Sequence, residues 1–212
     1  MGKHFLIALG LVLISLARVG NAHPVSYKEA IGVMAWNQSF MSDYWLTYSF
    51  APNAAIAARG MRMEMPEGQY LVYFPQFDWL AKRWNNPDSQ ANIYVYGGAG
   101  GARLANRDGY AGQVGIEADA ESRSWFIMGK WESMWSNLTD VFHHGEFRVG
   151  LAPYEAEFNE IASWLMIQVQ YHPTLTKKYA ITPLARLFYK NVLWEAGVSL
   201  QGDWMLNFMF HF

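Results

Sequence analysis

The chain contains no cysteine, which excludes disulfides, thiolate metal centres and cysteine nucleophiles. Charge is scarce: 16% of its 212 residues are Asp, Glu, Lys or Arg, below the ~25% usual in soluble domains. The formal net charge of −2 offers no basic footprint, so no nucleic-acid partner is expected. Beyond the N-terminus no stretch approaches the ~18–20 consecutive apolar residues of a transmembrane helix. Gly-x-Ser-x-Gly, His-Glu-x-x-His and a phosphate loop are missing as well. The run Gly97-Gly98-Ala99-Gly100-Gly101 precedes no helical pattern and reads as a bent strand end.

What is present is apolar and aromatic, at 52% and 17% of the chain. Such content without long apolar runs implies alternation of apolar and polar residues. The length fits one domain. Residues 1–22 read as a signal peptide: Lys3 gives a positive start, Phe5 to Ala17 an apolar stretch, and Gly20 and Ala22 a small-residue cleavage site. Cleavage there would leave His23 first in a mature domain of residues 23–212.

Period two dominates that domain. Trp204, Leu206, Phe208, Phe210 and Phe212 fall on one face, and Asp203, Met205, Asn207, Met209 and His211 on the other. Strict alternation of this length specifies a strand with one apolar face. Val192 to Leu200 repeats the pattern, separated by the turn Gln201-Gly202. Similar runs centre near residues 34, 47, 60, 73, 95, 115, 128, 149, 167, 186, 196 and 207. Twelve strands are expected, with ten as the alternative because residues 54–84 alternate poorly. Even-numbered connections read as short: Pro52-Asn53, Asn85 to Asp88, Ala120 to Ser122 and Lys190-Asn191. The odd connections Ser133 to Gly145 and His172 to Ala180 read as the longest, and Pro153 to Glu160 is an exception to this parity. The fold class is therefore all-β, a closed antiparallel transmembrane β-barrel.

The aromatic last strand, Trp204 to Phe212, resembles the C-terminal signature of small bacterial outer-membrane β-barrels of the porin-like class. The resemblance covers the whole mature chain in pattern, but only this strand in motif. It implies a location in the bacterial outer membrane, lipid around the barrel, and recognition of Phe212 by the barrel-assembly machinery.

If the aromatic face meets lipid, the other lines the bore. Its expected lining is Glu117, Asp119, Lys130, Glu132, Arg148, Arg186, Lys190 and Glu195, with Asp203 beside them. Arg186 and Glu195 lie at similar distances from the turn Lys190-Asn191, which predicts an ion pair. The leading function is passive, a small channel or structural barrel without turnover. A second reading is binding or transport of copper. Met61, Met63 and Met65 share one strand face, and thioethers favour Cu(I). Packed as a plain apolar stripe against lipid, they would instead put Arg62 and Glu64 inside. His23, with its free amine, and His211 would suit Cu(II). A third reading, a lipid-modifying enzyme, would draw on Ser136, Asp140, His143 and His144. His143, His144 and His172 fall in expected outer loops.

Overall fold

A computed structural model describes residues 24–157, 159–173 and 178–212. Twelve strands form in chain order: β1 Ile31–Gln38, β2 Met41–Ala51, β3 Ala54–Met65, β4 Gly68–Asn85, β5 Ser89–Leu104 and β6 Arg107–Ser122. The second half supplies β7 Trp125–Ser136, β8 Phe142–Leu151, β9 Ala162–Tyr171, β10 Tyr179–Tyr189, β11 Val192–Val198 and β12 Trp204–His211. Every strand pairs antiparallel with its chain neighbours, and β12 returns to β1, so the sheet has no free edge. The closing seam runs from Gly32 opposite His211 to Gln38 opposite Met205. Phe212 continues it, exchanging backbone hydrogen bonds of 2.8 and 2.9 Å with Ile31.

The twofold period becomes two faces. On β12 Met205, Asn207, Met209 and His211 are buried inside while Trp204 and Leu206 stand exposed outside. Around the barrel the outer face carries Leu46, Ile56, Val114, Ile116, Ile167 and Leu206. Aromatic residues bound it at both ends. Phe50, Trp79, Trp84, Trp125 and Tyr189 lie toward the end holding both described chain ends, here the proximal end. Tyr44, Tyr73, Tyr110, Trp135, Tyr179 and Trp204 lie toward the distal end.

Turn lengths depart from the expected parity. Three distal connections have only two residues, because β1 to β6 extend almost to their turns. The longest connection is proximal, between Leu151 and Ala162, where Pro153 interrupts strand pairing. Ten strands are excluded: residues 54–84 form β3 and most of β4 despite their weak alternation.

The glycine run is not a strand end either. It lies in the middle of β5, opposite Tyr73 to Phe77 of β4. Pairing lapses at Phe74 and Pro75, where proline has no N–H to give. Glycine is needed here by close approach. A Cβ on Gly98 or on Gly100 would stand 2.7 Å from the Phe74 side chain and press on the carbonyl oxygens of Pro75 and Tyr73. Gly100→Val is therefore expected to cost about 1–3 kcal/mol or more by overpacking. Its yield of folded barrel, read as heat-modifiable migration on a gel, should fall below that of Ala99→Val, whose side chain points outward.

The first described residues fold back into the proximal mouth. Val25 is fully buried against Ala55, Leu80 and Tyr94, and the Ser26 amide donates to Ser49 Oγ at 3.1 Å.

Candidate functional site in the barrel bore

Alternation gives each inner face its side chains, and closure of the barrel makes them meet. Arg59, on the inner face of β3, is the centre of the first group. Its guanidinium donates to Asp43 Oδ2 of β2 at 2.6 Å, to Gln76 Oε1 of β4 at 3.2 Å and to Glu132 Oε1 of β7 at 2.9 Å. It also lies 4.4 Å from the Trp45 ring centroid. The contact with Glu132 joins strands four places apart, so it is a chord across the bore. Lys130 Nζ approaches Glu132 Oε2 at 3.4 Å, and His144 Nδ1 approaches the same oxygen at 3.3 Å.

Glu195 on β11 organises the second group. Arg186 of β10 donates from Nε to its Oε1 at 2.7 Å, and Arg148 of β8 reaches Oε2 at 3.0 Å. Asn207 of β12 donates to Oε2 at 2.8 Å. Arg148 Nε also lies 2.7 Å from Glu146 Oε1. Arg186 and Glu195 are direct register partners across β10 and β11. All these groups lie within a closed barrel, where an uncompensated charge costs several kcal/mol; each carboxylate here has a cation or an amide beside it.

Asp43, Lys130, Glu132, Arg148, Arg186 and Glu195 themselves border a cavity of about 280 Å³ that extends toward the proximal turns. Trp36, Trp45, Phe126, Trp164 and Phe188 line it together with Glu117, Asp119 and Glu121. Asp119 accepts from Asn92 at 2.7 Å, and Glu117 is the register partner of Lys130. Pro24 borders the same space.

The distal end differs. Met41, Met61, Met63, Tyr70, Phe74, Met134 and Phe142 form one buried apolar cluster, with Phe40, Met65 and Leu138 packed on it. It joins β2 and β3 to β7 and β8 and fills that side of the bore. Gln38, Gln170, His172, Thr182 and Ser199 are buried polar residues on the β9–β1 side.

The structure thus places Glu117, Asp119, Lys130, Glu132, Arg148, Arg186 and Glu195 on the inner face. Lys190 is not there. It occupies the two-residue turn at a left-handed φ of 55°, and its ammonium lies 5.2 Å from the ring of outward-facing Tyr189. A turn residue does not continue the alternation that placed it inside. Asp203 likewise sits in a turn, its amide donating to Ser199 Oγ at 3.0 Å. The methionine row also differs from the lipid-stripe reading: Met61 and Met63 face the bore, and Arg62 and Glu64 face out as an ion pair at 2.5 Å. They are close to the distal turn, where charged side chains reach water at little cost.

The two copper readings fall at opposite ends of the barrel. His211 is at the proximal end beside Gly32, whereas Met61, Met63 and Met65 are distal; His23 lies outside the described residues. Among the described residues no group of three His, Asp or Glu forms a metal site. The residues named for a lipid-modifying enzyme take separate partners. Ser136 Oγ donates to the Tyr110 carbonyl, and His144 faces the bore. His143 instead meets Ser133 at 2.9 Å on the outer face, with no carboxylate hydrogen-bonded to it among the described residues.

Sequence reasoning missed Arg59, Asp43, Gln76, Glu146 and Asn207 as bore residues with named partners. Asp43 and Asn207 were legible from the faces opposite Tyr44 and Phe208. Arg59 follows an alanine-rich stretch, Ala54 to Ala58, that gives little contrast between faces.

No protein-family model matches the chain, and no curated protein matches it. Among solved structures the fold is that of an outer-membrane porin. KdgM porin, in complex with disordered oligogalacturonate, is similar at TM-score 0.51 and 10% identity over 86% of this chain and 99% of that one. KdgM porin in a second structure gives TM-score 0.50, with the same identity and coverage.

Proposed function

We propose that this chain is a bacterial outer-membrane β-barrel whose bore is a narrow, cation-favouring conduit. The observation that carries the reading is the contrast between the two faces. Outside, apolar side chains are bounded by aromatic rows at both ends, which suits a bilayer and its two interfaces. Exposed charges such as Arg62, Glu64, Arg103, Asp108 and Arg123 cluster near the turns. Inside, carboxylates predominate: Asp43, Asp78, Asp119, Glu132 and Glu195 are buried, with Glu117, Glu121 and Glu146 also on inner faces, against Arg59, Arg83, Lys130, Arg148 and Arg186. A ring of acidic groups favours cations in a pore.

In this reading the proximal end is periplasmic, and the strand that ends on Phe212 is what the barrel-assembly machinery reads. KdgM porin was solved with a polyanionic oligosaccharide, oligogalacturonate. The acid excess here argues against such a ligand, and the side-chain chord argues against a wide pore. Purified protein in planar bilayers under a KCl gradient is expected to give small, cation-selective steps that added oligogalacturonate does not block. Anion selectivity, or a large open conductance, would sink the proposal.

A further inference from the structure

The distal cluster has a composition that apolar packing alone does not require. Five methionines take part in it, from three strands: Met41 on β2, Met61, Met63 and Met65 on β3, and Met134 on β7. Met41 and Met63 are direct cross-strand partners with both side chains inside. Residues so paired have Cβ atoms about 4.5–5.5 Å apart. Met134 comes from the other side of the bore and Phe142, its register partner on β8, belongs to the same cluster. The thioethers of facing walls are therefore packed into one space.

An independent observation concerns His172, just past the end of β9. It is 2% exposed, and among the described residues neither of its ring nitrogens has a hydrogen-bond partner. Two aromatic members of the methionine cluster hold it there: Phe40, edge-on at 5.3 Å, and Phe142, stacked at 5.6 Å. On another side His144 stacks at 4.5 Å. A buried imidazole without partners costs folding free energy, and a ligand that accepts its lone pair would recover it.

We propose that this distal space binds a soft monovalent cation of the Cu(I) class through the thioethers of Met41, Met61, Met63 and Met134 and the imidazole of His172. Thioether sulfur with imidazole nitrogen is a donor set that suits such an ion and serves Mg²⁺ or Ca²⁺ poorly. The unbranched methionine side chain re-aims its sulfur easily, so the ligands can close on an ion without moving the sheet. Binding depends on the inner-face placement of these residues and not on conduction, so the site can fail while the conduit stands, and the reverse.

The test uses Ag(I), a redox-inert ion with the same preference for sulfur. Folded full-length protein in detergent is titrated by calorimetry, with Mg²⁺ in parallel. One Ag(I) per chain is expected, with no Mg²⁺ binding. Met61→Leu/Met63→Leu keeps the volume and removes the sulfurs; His172→Phe keeps a ring and removes the nitrogens. Each should weaken Ag(I) binding by at least the ~10–100-fold that follows loss of even an outer partner of a metal ligand. Met128→Leu/Met166→Leu, in a separate cluster around Trp164, should bind as the wild type does. Heat-modifiable migration and far-ultraviolet circular dichroism report folding of each variant. Absence of stoichiometric Ag(I) binding by the wild type, or unchanged binding by either distal variant, would overturn the site. Equal loss in the Met128/Met166 control would also overturn it, since the binding would then be nonspecific.

Discussion

Glu195→Leu is expected to destabilise the folded barrel by about 3–5 kcal/mol, the cost typical of breaking a buried ion pair by removing one partner. Glu195 is 1% exposed and meets two cations, Arg148 at 3.0 Å and Arg186 at 2.7 Å. Without it Arg186 keeps the Phe126 ring at 4.6 Å and Arg148 keeps Glu146, but two guanidinium groups then share one region of the bore with a carboxylate fewer. Asn207 also loses the acceptor of its 2.8 Å hydrogen bond. Reversible urea unfolding in lipid vesicles, followed by tryptophan fluorescence, measures the loss. A companion variant, Glu195→Leu with Arg186→Met, removes one stranded cation and should recover part of the stability. A Glu195→Leu barrel as stable as the wild type would show that water or rearrangement compensates the arginines.

That pair was legible from the sequence because only local information was required. Alternation fixed the facing of Arg186 and Glu195, and a two-residue turn fixed their register, since each step away from Lys190-Asn191 pairs the next residues on both strands. The same logic carried the strand count and the apolar outer face of β12. It failed at Lys190, where a turn residue was counted as if it continued the strand. Alternation left the facing of the methionine row open, because an apolar side chain suits either face. Near the distal rim the outer face reaches water, so Arg62 and Glu64 can point out and the methionines in. Contacts across the bore were not readable at all. Arg59 and Glu132, 73 residues apart, lie on strands four places apart, and facing alone does not say which side chains meet along a chord. The same holds for Arg148 with Glu195, and for His172 with Phe40 and Phe142.

The chord made by Arg59 should set the width of the conduit. Its guanidinium spans from Asp43 and Gln76 to Glu132, and it is held over the Trp45 ring. Five donors in a planar fork suit three acceptors on three strands. Arg59→Ala removes that crossing. It also leaves Asp43 without its 2.6 Å partner, while Glu132 keeps Lys130 and His144 nearby. Two effects follow. The bore widens where side chains from β3 and β7 met, so single-channel conductance should rise severalfold. The local charge also becomes more negative, so selectivity for K⁺ over Cl⁻ should increase. Arg59→Lys separates the two causes: it keeps the positive charge as a single point on a flexible stem and cannot serve all three acceptors. It should show an intermediate conductance with nearly wild-type selectivity. Because Arg59→Ala strands Asp43 and takes one of two cations from Glu132, it is expected to lose stability by about 3–5 kcal/mol as well, so conductance is to be read only on the folded fraction. Arg59→Ala with Asp43→Asn and Glu132→Gln removes the stranded charges while keeping the wider bore. Its conductance should stay high while its cation selectivity falls below that of Arg59→Ala. Wild-type conductance in folded Arg59→Ala and in this triple variant would mean that the constriction lies elsewhere, with the distal methionine cluster as the next barrier to open.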